Sequence, residues 1–113
     1  MSDRGGLLHP EVEDYDPKAT QEEVRRGALL IDVREQTEWD AGHLPSAKHL
    51  PMGQVTVRLT ELPKNQKIIF TCRSGNRSGH IKDLLIDEYG FTDVHNQLGG
   101  IIAWQLEGLP VVK

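Results

Sequence analysis

The chain contains a single cysteine among its 113 residues, and this scarcity limits what its sulfur can do. One cysteine can form neither a disulfide within the chain nor a zinc site built from several thiolates. Aromatic residues are also few, at 5% of the chain, so aliphatic side chains must supply most of the core. Cys72 is therefore expected to be either a small buried apolar side chain or a reactive thiol.

Long apolar runs and an excess of positive charge are absent as well. No segment approaches the roughly 20 apolar residues of a membrane span, and residues 1–8 hold no apolar run of signal-peptide length. Residues 1–16 carry five acidic residues against one arginine, so the net charge of this segment equals the net charge of the whole chain, −4. The neutral remainder lacks the basic face that nucleic acids and anionic membranes require. These absences predict a soluble, cytoplasmic protein that binds neither nucleic acid nor membrane.

The length of the chain suits one domain, since a packed α/β core needs about 100 residues or more. Residues 1–16 are acidic and aperiodic, which predicts a flexible lead-in, and residues 17–113 are predicted to fold as one domain. The apolar runs 28–33 and 67–71 are typical of strands buried on both faces.

Helical patterns alternate with these strands. Thr20 and Glu23 have the spacing of a capping box, which predicts where the first helix starts. Further helices are predicted at 36–41, 54–62, 78–89 and 101–106, and further short strands at 48–50 and 93–97. The alternation predicts an α/β fold with a mainly parallel β-sheet flanked by helices. Ligands of such sheets bind beyond the carboxyl ends of the strands, and Cys72 is predicted to lie at such an end.

The segment from Cys72 to Ser78 combines a thiol, two arginines and a glycine between a buried strand and a helix. The start of that helix offers free N–H groups and a positive dipole end, and Arg73 and Arg77 add full charges, so a thiolate is favoured. Gly75 allows a sharp bend, and Ser78 can cap the helix. We predict an anion-binding loop with Cys72 as nucleophile. The alternative, an inert buried cysteine, leaves the two neighbouring arginines unexplained.

This segment resembles the active-site loop of rhodanese-type sulfurtransferases. The other segments that are similar to the family's motifs are Asp32-Val33-Arg34, Glu38-Trp39, Gly42-His43-Leu44-Pro45-Ser46-Ala47 with Pro51, and Gly99-Gly100-Ile101-Ile102-Ala103-Trp104. Ordered motifs that span residues 17–112 are much more specific than any one motif. Ser46 departs from the family pattern, in which glycine is commoner at this position.

The resemblance implies a single rhodanese-like domain that needs no cofactor. It implies that Cys72 takes sulfane sulfur from a small anionic donor such as thiosulfate, becomes a persulfide, and passes the sulfur to cyanide, a thiol or a protein acceptor. The residues implied in substrate binding are Arg73, Ser74, Gly75, Asn76, Arg77 and Ser78. From their place at the end of the first strand, Asp32 and Arg34 are expected either to support this loop or to form an ion pair that only completes the fold.

Two other functions remain open. The same fold also occurs in non-catalytic binding modules, although those typically lack the cysteine. Related phosphatases have five residues between cysteine and arginine, whereas four separate Cys72 from Arg77, which predicts a cradle too small for phosphate. No metal site is expected, since no histidine pair has zinc-ligand spacing with a partner cysteine. We expect mainly structural roles for His43, Trp39 and Trp104. An alternative for Trp104 is to line one wall of the cleft.

Overall fold

Four short parallel strands form one sheet in the structure, a computed structural model that describes residues 12–113. The strands are β1 (Leu29–Asp32), β2 (Lys48–His49), β3 (Ile68–Thr71) and β4 (Val94–Asn96), in the spatial order β2-β1-β3-β4. Every residue of β3 is buried, as are three of the four residues of β1, because these two strands occupy the centre of the sheet. The predicted α/β fold with a parallel sheet is confirmed.

Helices cover both faces of the sheet, because successive side chains of a strand point to opposite faces. The helices are α1 (Pro17–Arg25), α2 (Gln36–Asp40), α3 (Asn76–Tyr89) and α4 (Gly100–Leu106). Phe70 of β3 belongs to a core cluster that includes Ile81 and Leu85 of α3. Its neighbour Ile69 belongs to a second cluster that includes Trp104 of α4. The central strand is thereby covered on both faces. Cys72 follows its carboxyl end and belongs to the first of these clusters.

The prediction of a helix over residues 54–62 is wrong. Two short 3₁₀ turns, Met52–Gln54 and Leu59–Glu61, take its place. The β-branched run at residues 55–57 lowers helix propensity, and Val57 is exposed, so the local sequence does not support a continuous helix here. The other predicted strands and the helices after the first are present, with ends shifted by one or two residues.

The first helix begins earlier than its predicted capping box. Asp16 is the N-cap, and its carboxylate accepts a hydrogen bond of 2.8 Å from the N–H of Ala19. Pro17 follows at the first helical position, where its missing N–H costs nothing. Thr20 is buried inside the helix, so the prediction that it caps the helix is wrong.

Part of the predicted flexible lead-in packs against the sheet. Tyr15 is buried, its N–H donates to the Asn96 carbonyl at 3.0 Å, and its own carbonyl accepts from Leu98 at 2.8 Å. Asp14 forms a buried ion pair of 3.2 Å with Lys82 of α3. Packing therefore begins no later than Asp14, and residues 1–11 of the predicted lead-in lie outside the described residues. Within residues 12–113 no helix is long and apolar enough to cross a membrane.

Candidate active site

Cys72 follows β3 directly, and its sulfur lies beneath the loop that leads into α3. Gly75 has a φ of 95°, a left-handed conformation that favours glycine, and it forms the N-cap of the helix. The Gly75 N–H donates to the Cys72 sulfur at 3.1 Å, and the N–H and hydroxyl of Ser78 lie 3.5 and 3.3 Å from it. Cys72 is only 1% exposed, so these donors replace the water that would otherwise solvate a thiolate.

Ser78 makes hydrogen bonds that hold the Cys72 loop, and the prediction that it caps α3 is wrong. Its hydroxyl donates to the side-chain oxygen of Asn96 at 2.7 Å, while the Asn96 amide nitrogen donates to the Gly75 carbonyl at 3.1 Å. A hydroxyl has one proton, so Ser78 can donate to Asn96 or to the sulfur, but not to both at once. Asn96 lies at the end of β4 and joins both sides of the loop. Its role was missed by sequence reasoning, because its strand neighbours become known only from the sheet order.

The start of α4 holds the backbone of the loop. The Ile101 N–H donates to the Cys72 carbonyl at 2.9 Å, and the Ile102 N–H donates to the Arg73 carbonyl at 3.1 Å. A β-carbon at Gly100 would lie 2.3 Å from the Arg73 carbonyl oxygen and 2.4 Å from that of Cys72. Only glycine therefore fits at this position. The sequence predicts a helix directly after Gly100, and the structure adds the contact of this glycine with the loop.

The two arginines of the loop have different surroundings. Arg73 is exposed, and none of the ion pairs found within residues 12–113 includes its side chain. Arg77 instead forms a bidentate salt bridge with Glu38 of α2, with N···O distances of 2.8 and 2.9 Å. The positive charge of Arg77 is thus compensated, contrary to the expectation that both arginines are available to an anion.

Glu38 is held in place from two sides. It occupies the third helical position of α2, where its carboxylate also accepts the Glu35 N–H at 3.0 Å in a capping box. The hydrogen bonds from Arg77 hold the pKa of Glu38 at about 2, against a desolvation that acts in the opposite direction. The same pair raises the pKa of Arg77. The resemblance named Glu38 only as part of a motif, and its contact with the loop was not foreseen.

Asp32 and Arg34 form a buried ion pair of 2.8 Å at the end of β1. Arg34 also donates to the Gly42 carbonyl at 2.7 Å, and its own carbonyl lies 2.8 Å from a ring nitrogen of His49. These contacts bind the end of β1 to β2 and to the segment before it. The side-chain hydrogen bonds of this pair within residues 12–113 do not reach the Cys72 loop, whereas the positive charge of Arg34 contributes to the low pKa of Glu38.

The remaining motif residues have structural contacts, as expected. Trp39 stacks on His43 with ring centroids 3.5 Å apart and an angle of 2° between the planes, and His49 lies 4.8 Å from Trp39. Trp104 is buried and donates its indole N–H to the Pro110 carbonyl at 2.8 Å. Within residues 12–113, no group of three or more His, Cys, Asp and Glu side chains is arranged to hold a metal ion.

Comparison with known proteins places this site in a family. Residues 16–107 match the model of the rhodanese-like domain. A sulfurtransferase from Allochromatium vinosum is 42% identical over 84 residues, which cover 74% of this chain and 78% of that protein. The putative sulfurtransferase YtwF from Bacillus subtilis is 37% identical over 102 residues, covering 88% and 97%. The crystal structure of a rhodanese-like domain protein from Staphylococcus aureus superposes with a TM-score of 0.75 at 27% identity, covering 90% and 100%. The chain therefore belongs to the rhodanese-like domain family.

Proposed function

We propose that this chain is a sulfurtransferase whose Cys72 carries sulfane sulfur as a persulfide, from a small donor such as thiosulfate to a thiol or cyanide. The observation that carries the proposal is the environment of the sulfur: the backbone N–H groups of Gly75 and Ser78 lie 3.1 and 3.5 Å from it. Preorganised donors of this kind stabilise an anionic sulfur in a site that excludes water. The related sulfurtransferases support the same chemistry.

Each half of the proposed reaction is a displacement at sulfur. The Cys72 thiolate attacks the outer sulfur of thiosulfate, the S–S bond of thiosulfate breaks, and sulfite leaves with the electron pair. The Cys72 persulfide is then attacked at its outer sulfur by cyanide or a thiolate, which regenerates the Cys72 thiolate. Electrons balance in both halves, so neither half needs an oxidant or a reductant.

The surroundings of Arg77 favour sulfur over phosphate as the transferred group. A phosphatase loop needs an arginine whose guanidinium can clamp two phosphate oxygens. Here both ends of the Arg77 guanidinium are already bonded to Glu38. The loop is also shorter by one residue than that of the related phosphatases, with four residues between Cys72 and Arg77.

The physiological acceptor is proposed to be a thiol, and a protein thiol is the alternative in which the chain acts as a sulfur carrier. A thiol acceptor requires a reducing compartment, and we propose the cytoplasm. A small thiol and a protein thiol differ in the contact area that they need. The two are distinguished by comparing the rates of sulfur transfer to acceptors of both sizes at equal concentration.

The test is the intact mass of the protein after incubation with thiosulfate. We expect one added sulfur atom, which cyanide then removes as thiocyanate. Cys72→Ser should show neither step, because the chain has no other thiol. A Cys72→Ser protein that retained normal turnover would overturn the proposal, and so would hydrolysis of an aryl phosphate by a wild-type protein that forms no persulfide.

A further inference from the structure

The loop carries two arginines, but one of them already has an anionic partner. Both nitrogens of the Arg77 fork are bonded to the Glu38 carboxylate, at 2.8 and 2.9 Å. We propose, as an extension that rests on the proposed function, that Glu38 determines donor selectivity: it occupies Arg77 and so favours singly charged sulfane donors, such as thiosulfonates and organic persulfides, over dianionic thiosulfate.

The Glu38–Arg77 salt bridge stays intact while a donor binds. Glu38 is anchored through the capping box to the Glu35 N–H, and Arg77 lies in the first turn of α3 directly after the loop. A low pKa of about 2, caused first by the bonds from Arg77, keeps the Glu38 carboxylate ionised at neutral pH. Glu35 adds to the negative field around Arg77. A dianion that displaced Glu38 would leave a carboxylate unpaired beside itself.

The selectivity follows from how repulsion depends on charge. The energy between the Glu38 carboxylate and a donor is proportional to the charge of the donor, so by offsetting the attraction of Arg77 the carboxylate costs thiosulfate twice as much as a monoanion at the same position. Arg73 is exposed and screened by water, so it compensates this only weakly. Removal of the Glu38 charge should therefore help thiosulfate more than a monoanion of the same shape.

Methanethiosulfonate is the matched probe for this difference. It replaces one anionic oxygen of thiosulfate by a methyl group and has a single negative charge. Its transfer is balanced in the same way: the S–S bond breaks, the outer sulfur joins Cys72, and methanesulfinate leaves with the electron pair. The two donors therefore report on charge with little difference in shape.

The test compares kcat/KM for the two donors, with cyanide as acceptor, in the wild type and Glu38→Gln. Glutamine at this helix position preserves the capping box, so the variant should fold. In Glu38→Gln we expect kcat/KM for thiosulfate to rise on the order of threefold to tenfold, the effect of one uncompensated charge in a partly exposed site. We expect kcat/KM for methanethiosulfonate to rise by the square root of that factor or less. Asp40→Asn removes an equal charge from an exposed position of the same helix and should leave the donor ratio unchanged.

A double variant serves as the control for folding effects of the single substitution Glu38→Gln. Glu38→Gln/Arg77→Gln removes a neutral pair, so the donor ratio should return to the wild-type value. An equal change with both donors in Glu38→Gln would overturn the inference, and so would a lower thiosulfate preference in the double variant, which would mean that Arg77 already attracts the donor in the wild type. If the wild type forms no Cys72 persulfide from either donor, the proposed function itself is wrong.

Discussion

Acid should weaken the fold through the Glu38–Arg77 salt bridge, and the size of the effect can be worked out from the structure. The pKa of Glu38 falls from its usual 4.5 to about 2, so the folded state binds its proton less readily than the unfolded chain. The stabilisation is complete above the unfolded value and is lost as the pH falls through the folded value. A shift of this size corresponds to about 3 kcal/mol, at about 1.4 kcal/mol for each pKa unit.

The expected contribution is smaller than this limit. The two side chains are 28% and 32% exposed, and water at such a site screens part of the interaction. We therefore expect the pair to contribute about 1–2 kcal/mol to the free energy of unfolding. Glu38→Gln removes this contribution but keeps the capping box, so it isolates the charge from the helix start.

The assay is urea unfolding of the wild type and Glu38→Gln from pH 7 to pH 2. The carboxylates common to both proteins cancel in the difference, so the wild-type advantage should be constant down to about pH 5 and shrink by about 1–2 kcal/mol by pH 2. The reasoning would be refuted by a difference that stays the same throughout this range. Arg77 would then have no charged contact with Glu38 in the folded protein.

Three further outcomes are expected. Gly100→Ala should reduce sulfur loading of the loop at least tenfold, because its β-carbon would lie 2.3 Å from a loop carbonyl, whereas Gly108→Ala, also at positive φ but with nothing within 4 Å, should only lower the melting temperature. Asp14→Asn should cost about 3 kcal/mol in urea unfolding, because it removes the carboxylate charge that faces the fully buried Lys82, and a cost near zero would contradict a buried ion pair. Ser46→Gly should raise the free energy of unfolding by up to about 1 kcal/mol, because Ser46 has a φ of 70°, and a clear destabilisation would show that its side chain has a role of its own.

The amino-acid sequence by itself determined the central sheet and the place of Cys72. The apolar runs at 28–33 and 67–71 have one compatible environment, a strand buried on both faces, and they became β1 and β3. A polar, glycine-containing segment directly after such a strand must turn at the carboxyl edge of the sheet, which is where Cys72 lies. These features depend on neighbours along the chain, so local patterns predict them.

The two failed cap predictions have a common cause. Thr20 and Ser78 each have a side chain that can cap a helix, but both are buried by other elements, and the caps are Asp16 and Gly75. A cap is chosen by where the chain enters the helix, and that direction depends on what the helix packs against. Propensity alone could not decide between the candidates.

Only the tertiary structure decided which residues complete the site. Glu38 reaches Arg77 across 39 positions of the chain, and Asn96 reaches Ser78 across 18. Gly100 is required by a backbone approach to the loop, which no pattern of neighbouring residues displays. Charge, polarity and size can be read from each of these residues in the sequence, but their partners are set by the order of strands in the sheet and the path of the helices over it. For this reason the position of Cys72 at the carboxyl end of a buried strand followed from the sequence, whereas the pairing of Arg77 with Glu38 did not.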